Sequence, residues 1–300
     1  MKIILTAFWV SSLLTTLALA QQPARVLGPR GSVVNNPERG APQTHMAYVI
    51  NATSTPAEFG AVDLRSGGFV QIGPDLPSDV GDGLVQGPGR SLLSLGFDGK
   101  LVAIDPFTGQ TSVVGETGLG DCSTPASPCG PDSANWIGVH DGHYYVTDFA
   151  NNLYSLNPNT ATTKLIGSTG IPAITFVPFS QNPDGSVNVF GEALFSHAGK
   201  FYAYFSTQAV NFTTGTYTNL IPGEIYEVDP ATGHARAIAP ASSNYSAINT
   251  INDTIYAFDA ILGQVDILDP TTGDATPVST LDASASVITG VAAAAPRRCR

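Results

Sequence analysis

Two carboxylates and two aromatic rings are the side chains here whose types and spacing suit chemistry. Asp82 and Glu192 stand at equivalent offsets in two short apolar runs. An acid facing a carboxylate is what cleavage of a glycosidic bond requires, one as general acid and the other as base or nucleophile. Asn135, Ser246 and Thr289 fall at the matching offset in three further runs, so five polar groups would ring one end of whatever the runs enclose. Two readings stand side by side. The ring can hold ordered water among otherwise unsatisfied groups. Alternatively, Glu192 and Asp82 are catalytic in a hydrolase or lyase, Asn135 orients the substrate, and Trp136 or Tyr245 stacks on a sugar ring rather than serving as core.

Metal and nucleophile chemistry find less support. His140 and His197 share an offset, but each is followed by a turn (Asp141-Gly142, Ala198-Gly199), which makes them turn-flanking residues before it makes them ligands. No P-loop, zincin motif or Cys/His framework is present, and the metal-site expectation is none. The sequence requires no cofactor and is compatible with a structural divalent cation. Cys122 and Cys129 bracket a Ser/Thr/Pro segment, where a local disulfide is expected in an exported chain, and Cys299 is left over.

The elements that must position these groups are written in a repeated turn: Asp105-Pro-Phe-Thr-Gly109, Asn157-Pro-Asn-Thr-Ala161, Asp229-Pro-Ala-Thr-Gly233, Asp269-Pro-Thr-Thr-Gly273 and a degraded Asp63-Leu-Arg-Ser-Gly67. Asp or Asn bonds forward to the backbone, Pro presets φ, and Gly accepts a left-handed corner, so each copy closes a hairpin. The copies start 42, 52, 72 and 40 residues apart, the range of arrays whose units bury their faces against one another. The flanking runs are apolar on both faces rather than alternating, as blade strands sandwiched between other sheets should be.

Second strands are expected at Lys200–Tyr204 and Thr254–Phe258, and first strands at Asp82–Val85, Asn135–Gly138, Glu192–Phe195 and Ser246–Asn249. That completes four blades. The Asp63 copy lacks a first strand, and the run 286–292 lacks a blade, so the tail should pair with 46–50 and close the ring. The expectation is an all-β, five-bladed β-propeller closed by a C-terminal strand, with a sixth blade in the 72-residue interval as the alternative.

The Ile/Val-Asp-Pro-x-Thr-Gly hairpin resembles the repeat of secreted bacterial β-propellers, the YVTN, NHL and quinoprotein-like arrays. The resemblance covers most of the chain and implies architecture. The tryptophan signature of quinoprotein blades is missing, since Trp9 lies in the leader and Trp136 is alone, so no bound quinone is implied. Propellers of this kind host enzymes, binders and scaffolds.

Residues 1–20 carry Lys2, an apolar stretch and Ala18-Leu19-Ala20, the pattern of a signal peptide cleaved before Gln21. A linker over 21–43 and one domain over 44–296 follow, with secreted or periplasmic localisation. Formal charge is −11, without a large Lys/Arg cluster, which disfavours nucleic acid and anionic membranes as partners. No later segment is long and apolar enough to span a bilayer. Asn51, Asn211, Asn244 and Asn252 begin N-x-S/T sequons.

In a propeller the five Pro-Thr-Gly turns share one face. Irregular sequence falls on the other: 118–132, 171–189 with Phe176 and Phe179, and 209–222 with Phe212 and Tyr217. Long loops on a rigid scaffold are the usual seat of recognition. The leading expectation is a monomeric module that binds carbohydrate or protein through that face, using Phe176, Phe179, Asn135, Trp136, Tyr245, Ser246 and Thr289.

Overall fold

The computed structural model describes residues 45–294 apart from 55, 78–79, 122–129, 174–180, 212 and 215. Cys122, Cys129, Cys299, Phe176, Phe179, Phe212 and the leader therefore lie outside the described residues. Five four-stranded antiparallel sheets account for the rest. Blade 1 combines β1 (Met46–Asn51), β2 (Glu58–Asp63) and β3 (Phe69–Asp75) with the last strand, β20 (Ile288–Ala293), in the order β20-β1-β2-β3. Blade 2 holds β4 (Val80–Gln86), β5 (Leu92–Gly96), β6 (Lys100–Ile104) and β7 (Thr111–Glu116). Blade 3 holds β8 (Ala134–His140), β9 (His143–Asp148), β10 (Asn152–Leu156) and β11 (Thr163–Ser168). In blade 4, β12 (Val187–His197), β13 (Lys200–Asn211) and β14 (Thr216–Val228) are long, and β15 (Ala235–Pro240) is short. Blade 5 is β16 (Ala247–Ile251), β17 (Thr254–Asp259), β18 (Gln264–Leu268) and β19 (Ala275–Thr280). The strands β20, β4, β8, β12 and β16 pack each against the next and close a ring around the axis. This is a five-bladed β-propeller.

The 72-residue interval hides no sixth blade. Its surplus goes into the connection 169–186 and into the lengthened strands of blade 4. Of the segment 209–222, expected as irregular loop, residues 209–211 and 216–222 instead continue the β13 and β14 strands, with Val210 opposite Tyr217 and Asn211 opposite Thr216. The first strand of blade 4 likewise starts at Val187 rather than Glu192, because 187–191 pair with 206–210.

The turn chemistry recurs in all five copies. Asp105 Oδ1 accepts the Phe107 and Thr108 N–H groups at 2.8 and 3.1 Å, and Gly109 N–H bonds to Asp105 O at 2.8 Å. In the degraded copy Asp63 Oδ1 still accepts Arg65 N–H at 2.9 Å, and Gly67 N–H still bonds to Asp63 O at 2.8 Å. In two copies threonine hydroxyls add to this: Thr232 and Thr271 donate to Asp229 and Asp269, both at 2.7 Å. Those hydroxyl bonds, then the backbone ones, hold both carboxyls below their ordinary range.

Each turn also locks its blade to the previous one. The Thr108-Gly109 corner sits on Ile72-Gly73, Thr160-Ala161 on Gly115, Thr232-Gly233 on Gly167, Gly273 on Pro240, and Gly67 on Thr280. A methyl on Gly109 would stand 2.1 Å from the Ile72 carbonyl oxygen, and one on Gly273 only 1.8 Å from that of Pro240. The apolar-Gly pairs that end several fourth strands are thus seats for a neighbour's turn. In blades 2 to 5 the outer pair also slips by one residue, leaving Val114, Ile166, Ile238 and Val278 unmatched. Such bulges twist an exposed edge away from pairing with another chain.

Ring closure is reinforced beyond the β1–β20 ladder. Ala52 N–H bonds to Val287 O at 2.8 Å, Val287 N–H to Thr53 Oγ1 at 2.9 Å, and Asn249 Nδ2 to Val291 O at 2.7 Å. Ile288 and Val291 are buried with Val49, Val62 and Ile251 in one apolar cluster, so the chain's last strand is core as well as clasp.

Candidate functional site

The first strands bring two of the five ring residues into direct contact. Asn135 Nδ2 donates to Glu192 Oε2, and Thr147 of β9 donates to Glu192 Oε1 at 3.0 Å. Glu192 is 3% exposed, and Asn135 and Thr147 are buried as well. The carboxylate therefore ties blade 4 to blade 3. Asn135 stands there because β8 slips against β9 between Ala134 and Ile137, which displaces residues 135 and 136 from regular pairing. Its Oδ1, like Thr289 Oγ1 and Thr250 Oγ1, is buried without a partner among the described residues. Such groups are where ordered water is expected.

Ser246 and Thr289 stand apart from that contact. Ser246 Oγ donates to Phe258 O at 3.1 Å, inside its own blade. The Asp82 backbone pairs with Leu95 on β5, and its side chain lies outside the described set. Trp136 and Tyr245 are both buried in the cluster that joins blades 3, 4 and 5. Tyr245 packs on Tyr204 with ring centroids 5.7 Å apart, and its backbone N–H bonds to the Tyr204 hydroxyl at 2.9 Å. Burial pushes both phenols far above their ordinary value. His140 stacks on Phe201 and bonds Ser196 Oγ at 3.0 Å, and His197 Nδ1 is buried without a partner among the described residues. Among the described residues no three His, Cys, Asp or Glu side chains converge as a metal site.

A second set of polar residues, outside the first-strand offsets, is the Asx that ends the second strand. Asp148 accepts Asn152 N–H at 2.8 Å, Asn152 Nδ2 at 2.9 Å and the Tyr154 hydroxyl at 2.8 Å. Burial, then the Asp148 carboxylate, pushes the Tyr154 phenol up to about 12. Asp259 caps Ile261 and Leu262 N–H, both at 2.8 Å, and takes the Ser243 hydroxyl. Asn51 accepts Thr53 N–H at 3.1 Å and donates to Glu58 and Ser284 O. The recurrence of Asx after Ile50, Thr147 and Phe258 was the signal for them. Two sequon residues, Asn51 and Asn244, are buried, whereas Asn252 is exposed and Asn211 half-buried.

On the loop-bearing face blade 4 stands out. Strands β9 and β17 have 6 residues and β13 has 12, so the β13–β14 hairpin projects about 20 Å beyond its neighbours. Residues 216–220 are all exposed, with Tyr217 at 47% and Leu220 at 49%. Beside the hairpin, Asn182 and Asn188 exchange amide hydrogen bonds at 2.8 and 3.2 Å. Asp184 accepts the Ser186 hydroxyl at 2.7 Å and its N–H at 3.0 Å, bonds that lower the Asp184 carboxyl below its ordinary range.

No protein-family model matches the chain, and no curated protein matches it. Solved structures similar to it include a nidogen/laminin complex, at 10% identity and a TM-score of 0.46 over 82% of this chain and 97% of that one. A PQQ-bound aldose sugar dehydrogenase from Streptomyces coelicolor is similar at 14% identity and 0.37, over 69% and 82%. A protein of unknown function from Bacteroides thetaiotaomicron follows at 13% and 0.45, over 80% and 56%. The assignment as a β-propeller repeat protein rests on the strand order described above. No helix among the described residues is long and apolar enough to cross a membrane.

Proposed function

We propose that this chain is an exported recognition module that binds a carbohydrate or protein ligand on its loop-bearing face, with blade 4 as the principal contact. The observation that carries the reading is the projecting β13–β14 hairpin with exposed Tyr217 and Leu220. An exposed tyrosine carried on a paired strand is a typical binding anchor. The opposite face is occupied largely by short turns that dock on neighbouring blades. Residues 1–20 support export, and the Asp-Pro-x-Thr-Gly turns support grouping with secreted propeller arrays.

Burial of Glu192 between Asn135 and Thr147 favours a pin between blades over a catalytic acid. The test excises residues 209–218 and joins Gln208 to Asn219 through an Asn-Gly turn, which keeps the lower ladder of blade 4 intact. Ligands retained by the wild type on a glycan array or from a secreted-protein pull-down should be lost by the folded excision variant. Undiminished retention would overturn the face assignment.

A further inference from the structure

Blade 2 departs from the repeat twice on the turn-bearing face, and the two departures adjoin. Its first and second strands are joined by five residues, 87–91, where blades 3, 4 and 5 use two-residue turns at 141–142, 198–199 and 252–253. The third position of its Asp-Pro-x-Thr-Gly turn is Phe107, where the other copies carry Asn159, Ala231, Thr271 and Arg65. Between segment 87–91 and that turn lies a hollow of about 480 Å³, lined by Arg90, Ser91, Asp105, Phe107, Gln110 and Ser112 among others. That volume is within the range of small-ligand sites.

The chemistry of the lining is specific. Phe107 is 57% exposed, although its turn is rigidly held by Asp105 Oδ1 and docked on Ile72-Gly73. Arg90 and Gln110 are exposed, and among the described residues neither side chain has an ion pair or hydrogen bond. Asp105 Oδ1 is used by the turn, and Oδ2 remains as an acceptor. The five-residue segment is itself ordered, with Gly87 N–H on Ser91 O at 2.8 Å and the Ser91 hydroxyl on Pro88 O at 3.0 Å. An exposed aromatic face on a backbone-anchored turn, flanked by a carboxylate acceptor and planar guanidinium and amide donors, matches a pyranose, which offers an apolar C–H face and vicinal hydroxyls. A net negative chain makes a neutral sugar the better fit than an acidic one.

We infer that this hollow is a subsite for a neutral hexopyranose or pentopyranose unit, separate from the loop-bearing face. Phe107 stacks on the ring, Arg90 and Gln110 donate to its hydroxyls, and Asp105 accepts from one. The pocket would hold one or two sugar units, such as the end of a chain or an exposed branch. It serves binding and involves no bond-breaking step.

The test is isothermal titration of the mature protein with cello-, xylo-, malto-, laminari- and chito-tetraose at millimolar concentration. At least one should bind, Phe107→Ala should weaken it about tenfold, and Phe107→Trp should retain it. Arg90→Gln should weaken it severalfold, and the 209–218 excision should leave it unchanged. Thermal melts of each variant check that these exposed substitutions leave the fold intact. Absence of binding by all five sugars, or equal affinity for wild type and Phe107→Ala, would overturn the assignment. Loss of binding only in the excision variant would also overturn it, by moving the sugar to the other face.

Discussion

The turn-on-strand contact between blades makes Gly273→Ala more damaging than an exposed-turn substitution should be. Gly273 has φ +76°, and a left-handed conformation costs an L-residue roughly 1–2 kcal/mol. The new methyl would also stand 1.8 Å from Pro240 O, where ordinary contact begins near 3.4 Å, so the turn must retreat by roughly 1.5 Å. That retreat breaks the 3.0 Å bond from Ser242 N–H to Gly273 O, worth about 1 kcal/mol. Together the loss is about 2–4 kcal/mol, a fall of roughly 5–15 °C in melting temperature for a domain of this size. The equivalent residue of blade 3 is the control. Ala161 already holds φ +62° and is buried, so Ala161→Gly relieves about 1 kcal/mol of backbone strain and loses about 0.8 kcal/mol of methyl burial. Its melting temperature should stay within about 3 °C of wild type. Scanning calorimetry of both variants decides the matter. A Gly273→Ala protein that melts with the wild type, or an Ala161→Gly protein that falls as far, would refute the interlock.

Three further outcomes follow from named contacts. Glu192→Leu leaves Asn135 Nδ2 and Thr147 Oγ1 buried without their acceptor, at about 1–3 kcal/mol each, while Glu192→Gln keeps an acceptor and should lose less. Coincident urea unfolding curves for the two variants would count against the pin. Asp266 is buried and its carboxyl is held above its ordinary 3.8 chiefly by desolvation, so folding favours the protonated form. That contribution is full below pH about 4 and is lost as pH rises, so Asp266→Asn should raise the melting temperature at pH 7 and give no gain near pH 3; an equal gain at both values would contradict the assignment. Deleting 285–300 strips β1 of its inner partner and leaves Asn249 Nδ2 without Val291 O. Soluble aggregates by light scattering are expected, and a monomer with an unchanged β-sheet spectrum would show that closure is dispensable.

The fold was legible because its signals are local and repeated. Asp-Pro-x-Thr-Gly closes a hairpin whatever surrounds it, and five copies of one hairpin leave a ring as the economical way to bury faces that are apolar on both sides. The matching deficits at the two ends even disclosed the pairing of 46–51 with 288–293. The lengthened strands of blade 4 were not legible. Thr216–Pro222 reads as polar loop because, on that projecting hairpin, the strand is exposed and no core imposes an apolar period on it.

The site was legible only in part. Equal offsets place Asn135 and Glu192 on the first strands of neighbouring blades, but the direct bond between them is a tertiary contact that no offset marks. Offset counting could not tell a channel-facing carboxylate from one buried against the next blade, because β8 slips at Ala134–Ile137 and a single slipped residue redirects every side chain before it. Trp136 sits in core for the same reason, and Tyr245, which precedes β16, is buried by its contact with Tyr204 of the neighbouring blade. The residue types and the turn geometry are properties of short stretches of chain. Which polar groups meet and which are sealed is decided by contacts between strands far apart in sequence, and only the closed ring sets those.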